Sequence, residues 1–202
     1  MEIIDTIVQG SDEWFAARLG SIGGSSIADV VAGGQGKMRK NLMYRLAGEI
    51  LSGVKYEGYK NEHMDRGLEQ EPDARSFYEL ISGNTVRQVG LVKESDYIHF
   101  SPDGLVDPDG ITEIKCTIPS VHIETILQNE IPAAYRKQCQ WGLYICQRQW
   151  VDFVSYSPLI TDKPILIIRR VRDEKLIQEL KEGAEKFLME MAKIIRQVKE
   201  VS

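Results

Sequence analysis

A tight turn, Asp107-Pro108-Asp109-Gly110, divides the stretch SPDGLVDPDGITEIKC from Ser101 to Cys116 and commits the chain on either side of it to fold back. Proline pre-sets φ at such a turn, and glycine supplies the backbone angle that other residues resist. Beyond the turn, side chains of an extended strand alternate between faces at a rise of about 3.4 Å per residue. Glu113 and Lys115 therefore share one face and Ile114 points into a core. The reversal brings Asp103 beside Glu113, so two carboxylates and one ammonium stand together on a hairpin.

Two neighbouring carboxylates repel each other, by roughly 4 kcal/mol at ~4 Å and an effective dielectric near ~20. A divalent cation relieves that repulsion, and Mg²⁺ takes one or two carboxylates together with waters and substrate phosphate. A lysine beside such a site can hold or deprotonate an attacking water or offset charge in the transition state. By spacing alone the commoner reading is a different one, a solvated sheet face on which Glu113 and Lys115 merely pair. An EF-hand loop does not fit: with Gly110 at its sixth position, Leu105 stands first and Cys116 twelfth, where acids are required.

At 202 residues the chain suffices for one domain with a substantial core, and 43% hydrophobic with 27% charged residues suits a soluble globule. No apolar run reaches the length of a membrane span, and the start MEIIDTIVQG lacks the basic and apolar regions of a signal peptide, so a cytoplasmic protein is expected. Cys116, Cys139 and Cys146 form no C-x-x-C pair, and His63, His99 and His122 form no H-x-x-x-H pattern, which argues against a disulfide framework, a zinc ribbon and the commonest zinc hydrolase signature. The net charge of −5 does not advertise nucleic-acid binding. Local basic clusters stand at Lys37-Met38-Arg39-Lys40, at Arg136-Lys137, and at Arg169, Arg170 and Arg172. A ring or channel with inward-facing basic residues would reconcile an acidic total with DNA binding.

Periodicity predicts a short helix from Asp12 towards Gly20, a Gly/Ser-rich turn, a helix from Ser26 to Ala32, and loops over 33–37 and 56–59. Helices are expected over Asn41–Leu51 and Glu69–Ile81, the latter with Pro72 in its first turn, and from Pro132 to Ile145. Strands are expected at Thr85–Val92, Tyr97–Val106, Ile111–Thr117, Trp150–Tyr156 and Ile165–Val171. Asp173 caps a long terminal helix with an apolar stripe of Leu176, Leu180, Phe187, Met191, Ile194 and Val198. The pattern implies an α/β fold, a mixed central β-sheet flanked by helices. No linker or repeat interrupts it, so residues 1–202 read as a single domain.

Three further segments keep order with that hairpin: QGSDEWFAARLGSIGGSSIADVVA from Gln9, RGLEQEPDAR from Arg66, and YRKQCQW from Tyr135. With S-P-D-G and E-I-K-C, they make the chain resemble the lambda exonuclease family of viral recombinases, the YqaJ type, within the PD-(D/E)XK nuclease superfamily. The resemblance runs from about Gln9 to Tyr156. It implies a restriction-endonuclease-like PD-(D/E)XK core and a metal-dependent 5′→3′ exonuclease that digests one strand of linear double-stranded DNA. Such an enzyme leaves 3′ single-stranded overhangs for recombination with a single-strand-annealing partner. It also implies a homotrimeric ring and a phage or prophage origin in a bacterial cytoplasm.

Carried over by position, Asp103 and Glu113 are metal ligands, joined by Glu71 and the carbonyl of Ile114, for Mg²⁺ or Mn²⁺. Lys115 is the catalytic lysine, and Gln138 arranges the active site, with Gln140 as its rival and Tyr135 on the same helical face. Arg18, Ser25 and Ser101 match positions that grip a terminal 5′-phosphate, and a guanidinium fork with small hydroxyls suits that dianion. Met64 matches an apolar wedge between separating strands, though a lone methionine is more often core. One departure stands out: Ser120 is followed by Val121 and His122 where the family pattern has a phosphate-binding arginine. The other readings are a different endonuclease of the superfamily or a non-catalytic DNA-end-binding module. A CRISPR-adaptation exonuclease would carry four cluster-binding cysteines, and three are present.

Overall fold

In the computed structural model, residues 1–33, 36–55, 62–106 and 108–201 are described. Asp107, the expected loop at 56–59, part of the loop over 33–37 and the side chain of Met64 lie outside that set. In chain order the elements are β1 (Glu2–Ile4), α1 (Asp12–Ala17), a 3-10 turn (Gly24–Ser26), α2 (Ile27–Val30), α3 (Lys37–Ser52) and α4 (Glu62–Ser82). Four short strands follow, β2 (Val86–Arg87), β3 (Leu91–Ser95), β4 (Ile98–Phe100) and β5 (Gly104–Val106). The rest comprises β6 (Gly110–Cys116), α5 (Pro119–Gln128), α6 (Ala133–Ile145), β7 (Trp150–Tyr156), β8 (Ile165–Val171) and α7 (Glu174–Glu200).

These strands form two sheets: β1-β3-β4 is antiparallel, and β2-β5-β6-β7-β8 is mixed, with only β6 and β7 parallel. The α/β expectation holds, but two of the expected strands are each split between the sheets. Thr85–Val92 becomes β2 and β3, and Tyr97–Val106 becomes β4 and β5. At the first break, Gly90 donates its N–H to the Ile4 carbonyl, and a Cβ there would meet the Ile7 carbonyl oxygen at 2.4 Å. At the second, Ser101, Pro102 and Asp103 cross from one sheet to the other, and proline has no N–H to offer a ladder.

Strand β6 is central, and its residues are buried on both faces over most of its length. Ile111 faces a core shared with α6, where Trp141, Leu143 and Phe153 also lie. Ile114 faces the opposite way, as its alternation required, into a smaller cluster with Ala74 and Tyr78 of α4. Helix α4 begins earlier than expected, which places Pro72 in its interior, not in its first turn. Helix α5 was not foreseen because its polarity is inverted: His122 and Thr125 are buried, while Val121, Ile123 and Leu127 are exposed. Helix α7 starts as read, with Asp173 accepting a bond from the Leu176 N–H. Leu180, Phe187 and Met191 of its stripe are buried together with Ile177 and Ala184, whereas Val198 is 54% exposed. No helix among the described residues is long and apolar enough to cross a membrane.

The stretch at Ile22 runs along β4: its N–H bonds to the Tyr97 carbonyl and its carbonyl accepts from His99 N–H. His99 thereby lies in the core at 2% exposure, with Nε2 accepting from Arg18 Nε at 2.8 Å and Nδ1 2.7 Å from Ser21 Oγ. Burial, then the nearby Arg18 charge, pushes its pKa from 6.5 down to about 3. Unfolded His99 thus takes up a proton near pH 6.5, and folded His99 only near pH 3. Between those values the unfolded chain binds more protons, so stability falls as the pH falls, by up to ~1.4 kcal/mol per unit. His99→Gln removes this titration. Denaturant unfolding from pH ~7 to ~4 should show a shallower pH dependence for the variant than for the parent; equal slopes would mean that the imidazole titrates alike in the folded and unfolded chain. Phe187→Ala should cost about 3–5 kcal/mol in the same assay, and Val198→Ala less than about 0.5 kcal/mol.

Candidate active site

The hairpin register, Gly104 opposite Thr112 and Val106 opposite Gly110, ends the β5–β6 ladder just short of Asp103 and Glu113. Asp103 continues that pairing with its side chain, Oδ2 accepting from the Ile114 N–H at 2.6 Å. In an extended strand a residue's N–H and C=O face the same edge, so the Ile114 carbonyl also opens towards Asp103. Two residues on, the Cys116 carbonyl accepts from Arg66 Nε at 3.4 Å on that same edge. The expected juxtaposition of Asp103 and Glu113 is therefore present.

Glu113 is 1% exposed, and a carboxylate buried to that extent must be paired or hydrogen-bonded. Its Oε1 receives two donors, Lys115 Nζ and, at 2.5 Å, Gln138 Nε2. Its Oε2 is buried and has no hydrogen-bond partner among the described residues. Burial pushes Glu113 up to about 7; Lys115 opposes the rise, and Asp103 and Glu71 add to it. Burial likewise raises Asp103, against Lys115 and the Ile114 N–H, and it raises Glu71 together with the Asp103 charge. For Lys115, burial acts downward, but Glu113 and Asp103 outweigh it and the ammonium is held in its charged form. Its Nζ also lies 5.3 Å above the Tyr135 ring, which stacks on Phe153.

These observations exclude the solvated sheet face, which would not bury Glu113 or bring a helix residue onto it. They also separate Gln138 from Gln140. Gln140 is buried elsewhere, donating to the Val171 carbonyl and accepting from Asp173 N–H, which clamps α6 to the start of α7. Glu71 enters from α4, felt electrostatically by both Glu113 and Asp103, with Oε1 held by Arg75 at 2.5 Å. Among the described residues no three His, Cys, Asp or Glu side chains form a ready-made metal cage. The donor set nevertheless suits a hard cation: three carboxylates, a main-chain carbonyl and one buried carboxylate oxygen left without a donor.

A second group adjoins the first. Arg18 lies with its guanidinium 3.7 Å from the ring centroid of Trp14, and Trp14 Nε1 donates to Ser101 Oγ at 3.0 Å and to the Gly90 carbonyl at 2.9 Å. Ser101 is two residues from Asp103, and Gln9 braces that crossing by donating to the carbonyls of Val89 and Pro102. Ser25 is exposed on the 3-10 turn behind Gly23 and Gly24. A Cβ on Gly24 would meet the Phe100 ring at 2.4 Å and the Gln138 Cγ at 3.5 Å, so this turn touches the α6 residue that holds Glu113. Sequence reasoning did not single out Trp14, Gln9 or His99. Trp14 stands one helical turn before Arg18, a spacing that could have signalled it.

His122 does not replace the missing arginine. Its Nε2 faces the Lys163 carbonyl at 2.9 Å and must donate there, while Nδ1 lies 2.7 Å from Ser155 Oγ, all within the core. Much of the basic clustering is paired within the chain: Arg39 with Glu190, Arg136 with Glu130, Arg169 with Asp152 and Arg172 with Glu174. The Cys116 thiol is pushed up to about 11 by burial and then by Glu71, which disfavours its thiolate form.

The chain is similar in structure to an alkaline exonuclease from Laribacter hongkongensis, with 38% identity and a TM-score of 0.87, covering 94% of this chain and 96% of that one. A second structure of that exonuclease, in complex with dAMP, has a TM-score of 0.88. A phage-related exonuclease from Haemophilus somnus shares the fold at 18% identity and a TM-score of 0.70, over 88% of this chain and 96% of that one. No match is found among curated proteins. The model of the YqaJ-like viral recombinase domain matches residues 13–149, which span the hairpin, both flanking helices and the Arg18 group. The chain belongs to the YqaJ-like viral recombinase family and is a nuclease.

Proposed function

We propose that this nuclease is a metal-dependent 5′→3′ exonuclease that removes one strand of linear duplex DNA from its end. The observation that carries the reading is Glu113 itself. One oxygen is fixed by Lys115 and Gln138, the other is buried without a hydrogen-bond partner among the described residues, and the charges of two further carboxylates, Asp103 and Glu71, act on the group. Asp103, Glu113, Glu71 and the Ile114 carbonyl would hold Mg²⁺ or Mn²⁺. When bound, such a cation polarises a phosphoryl oxygen and lowers the pKa of its water.

The chain's own residues divide the remaining work. Lys115 holds the attacking water by donation and offsets negative charge that grows on the phosphodiester. Gln138 and Tyr135 fix Lys115 and Glu113 in place. Arg18, with the hydroxyls of Ser25 and Ser101, receives the terminal 5′-phosphate, and the short Ser101–Asp103 crossing sets the distance from that anchor to the scissile bond. The whole chain, residues 1–202, acts as one exonuclease domain. A homotrimeric ring would keep it on DNA, and its 3′ overhangs would pass to a single-strand-annealing protein in a phage-infected or lysogenic cytoplasm.

Linear 5′-phosphorylated duplex should be digested in Mg²⁺ and spared in chelator, while closed circles stay intact. Cleavage of circles would turn the reading to an endonuclease, and intact linear duplex would defeat it. Lys115→Ala should bind DNA ends yet lose at least about 100-fold in cleavage; near-parental cleavage would remove Lys115 from the chemistry. Gln138→Ala should lower cleavage without a comparable loss of stability. Gln140→Ala should do the reverse, costing about 1–3 kcal/mol of stability with activity per folded molecule retained.

A further inference from the structure

We propose that His99 is the positioning residue for Arg18, holding the guanidinium by Nε as a neutral acceptor so that its two amino groups and its positive charge are presented to the DNA end. The inference rests on Arg18 being the end-phosphate anchor.

The hydrogen bonds settle the tautomer. Arg18 Nε can only donate, so His99 Nε2 accepts, and the proton of the neutral ring sits on Nδ1. Nδ1 then donates to Ser21 Oγ at 2.7 Å, and that hydroxyl donates to the carbonyl of Arg18 at 2.7 Å. The loop closes on the residue where it began. One imidazole ties down both the side chain and the backbone of Arg18. Trp14 covers a face of the guanidinium, and His99 takes its Nε edge. Among the described residues no acceptor engages the terminal Nη groups, which leaves the fork for a phosphate. Glu49 acts on Arg18 through its field, and Arg45 opposes it.

The choice of a neutral partner has an electrostatic consequence. A carboxylate at this position would orient Arg18 equally well but cancel the charge that attracts a dianion. A protonated imidazole would repel it and lose the acceptor. Neutral histidine orients without cancelling, and its burial favours that form. Gly23 makes room for the arrangement: a Cβ there would stand 2.8 Å from His99 Nε2 and 3.5 Å from Arg18 Nη2. An ordinary core histidine also has both nitrogens satisfied. What distinguishes His99 is that one of its partners is a half-buried arginine with an unused fork.

The test compares two amides of similar polarity and different reach. The longer amide of His99→Gln would place an acceptor near the position of Nε2, whereas the side chain of His99→Asn reaches only as far as Nδ1. Binding to short duplexes with a 5′-phosphate or a 5′-hydroxyl is measured by fluorescence anisotropy in chelator, for the parent, Arg18→Ala and both His99 variants. The parent should prefer the phosphate, and Arg18→Ala should lose the preference. His99→Gln should keep it within about twofold, and His99→Asn should lose about tenfold on phosphorylated ends. Far-UV circular dichroism that superposes on the parent's in every variant reports an intact fold. Retained preference in His99→Asn, or its loss in His99→Gln with hydroxyl-end binding unchanged, overturns the positioning role alone. If the Arg18→Ala duplex preference matches the parent's, the anchor reading fails and the inference falls with it.

Discussion

The burial of one carboxylate in the central strand organises this molecule. A charged group at the middle of a mixed sheet is costly unless every oxygen is answered. For Glu113 the answers on Oε1 come from two directions, Lys115 on its own strand and Gln138 from α6, while Asp103 and Glu71 act on the carboxylate through their charge. The elements around β6 are arranged to supply them. Helix α6 is pinned by Gln140 to the start of α7, and α7 is pinned by Arg39 to α3, so the position of Gln138 depends on contacts far from the site.

The second dependence is on the crossing between the sheets. Because β4 and β5 belong to different sheets, Ser101, Pro102 and Asp103 are free of ladder bonds and can turn their side chains to the site. Ser101 meets Trp14, and Asp103 meets the Ile114 N–H, within one short segment. The group around Arg18 and Trp14 and the carboxylate cluster are thereby joined through one short segment, without a long loop between them. A strand continuing through this point would have spent those polar groups on its neighbours.

The acidic net charge is compatible with this function because the positive groups that matter are few and placed. Several arginines of the basic clusters are consumed by internal pairs, as Arg169 is by Asp152 and Arg39 by Glu190. Arg18 differs: the partner that orients it is an uncharged ring, so the contact that fixes its direction does not neutralise it. Local potential, not composition, decides where an anion can settle.

The sequence by itself determined the hairpin, the shared face of Glu113 and Lys115, the inward Ile114, the capped terminal helix and the edges of β7 and β8. Each follows from local rules: turn chemistry, period-2 alternation or a capping side chain. Family order in the chain then pointed to Glu71 and Gln138. It could not reveal α5, whose buried His122 and Thr125 invert the pattern that periodicity reads, nor the splits at Gly90 and Ser101–Asp103, where the residues continue a strand but the sheets do not. Only the tertiary structure placed Gln138, and not Gln140, on Glu113, enclosed His122 in the core and joined Arg18 to His99 across 81 positions. Those choices depend on which buried polar atoms meet, and such meetings are set by packing between distant segments.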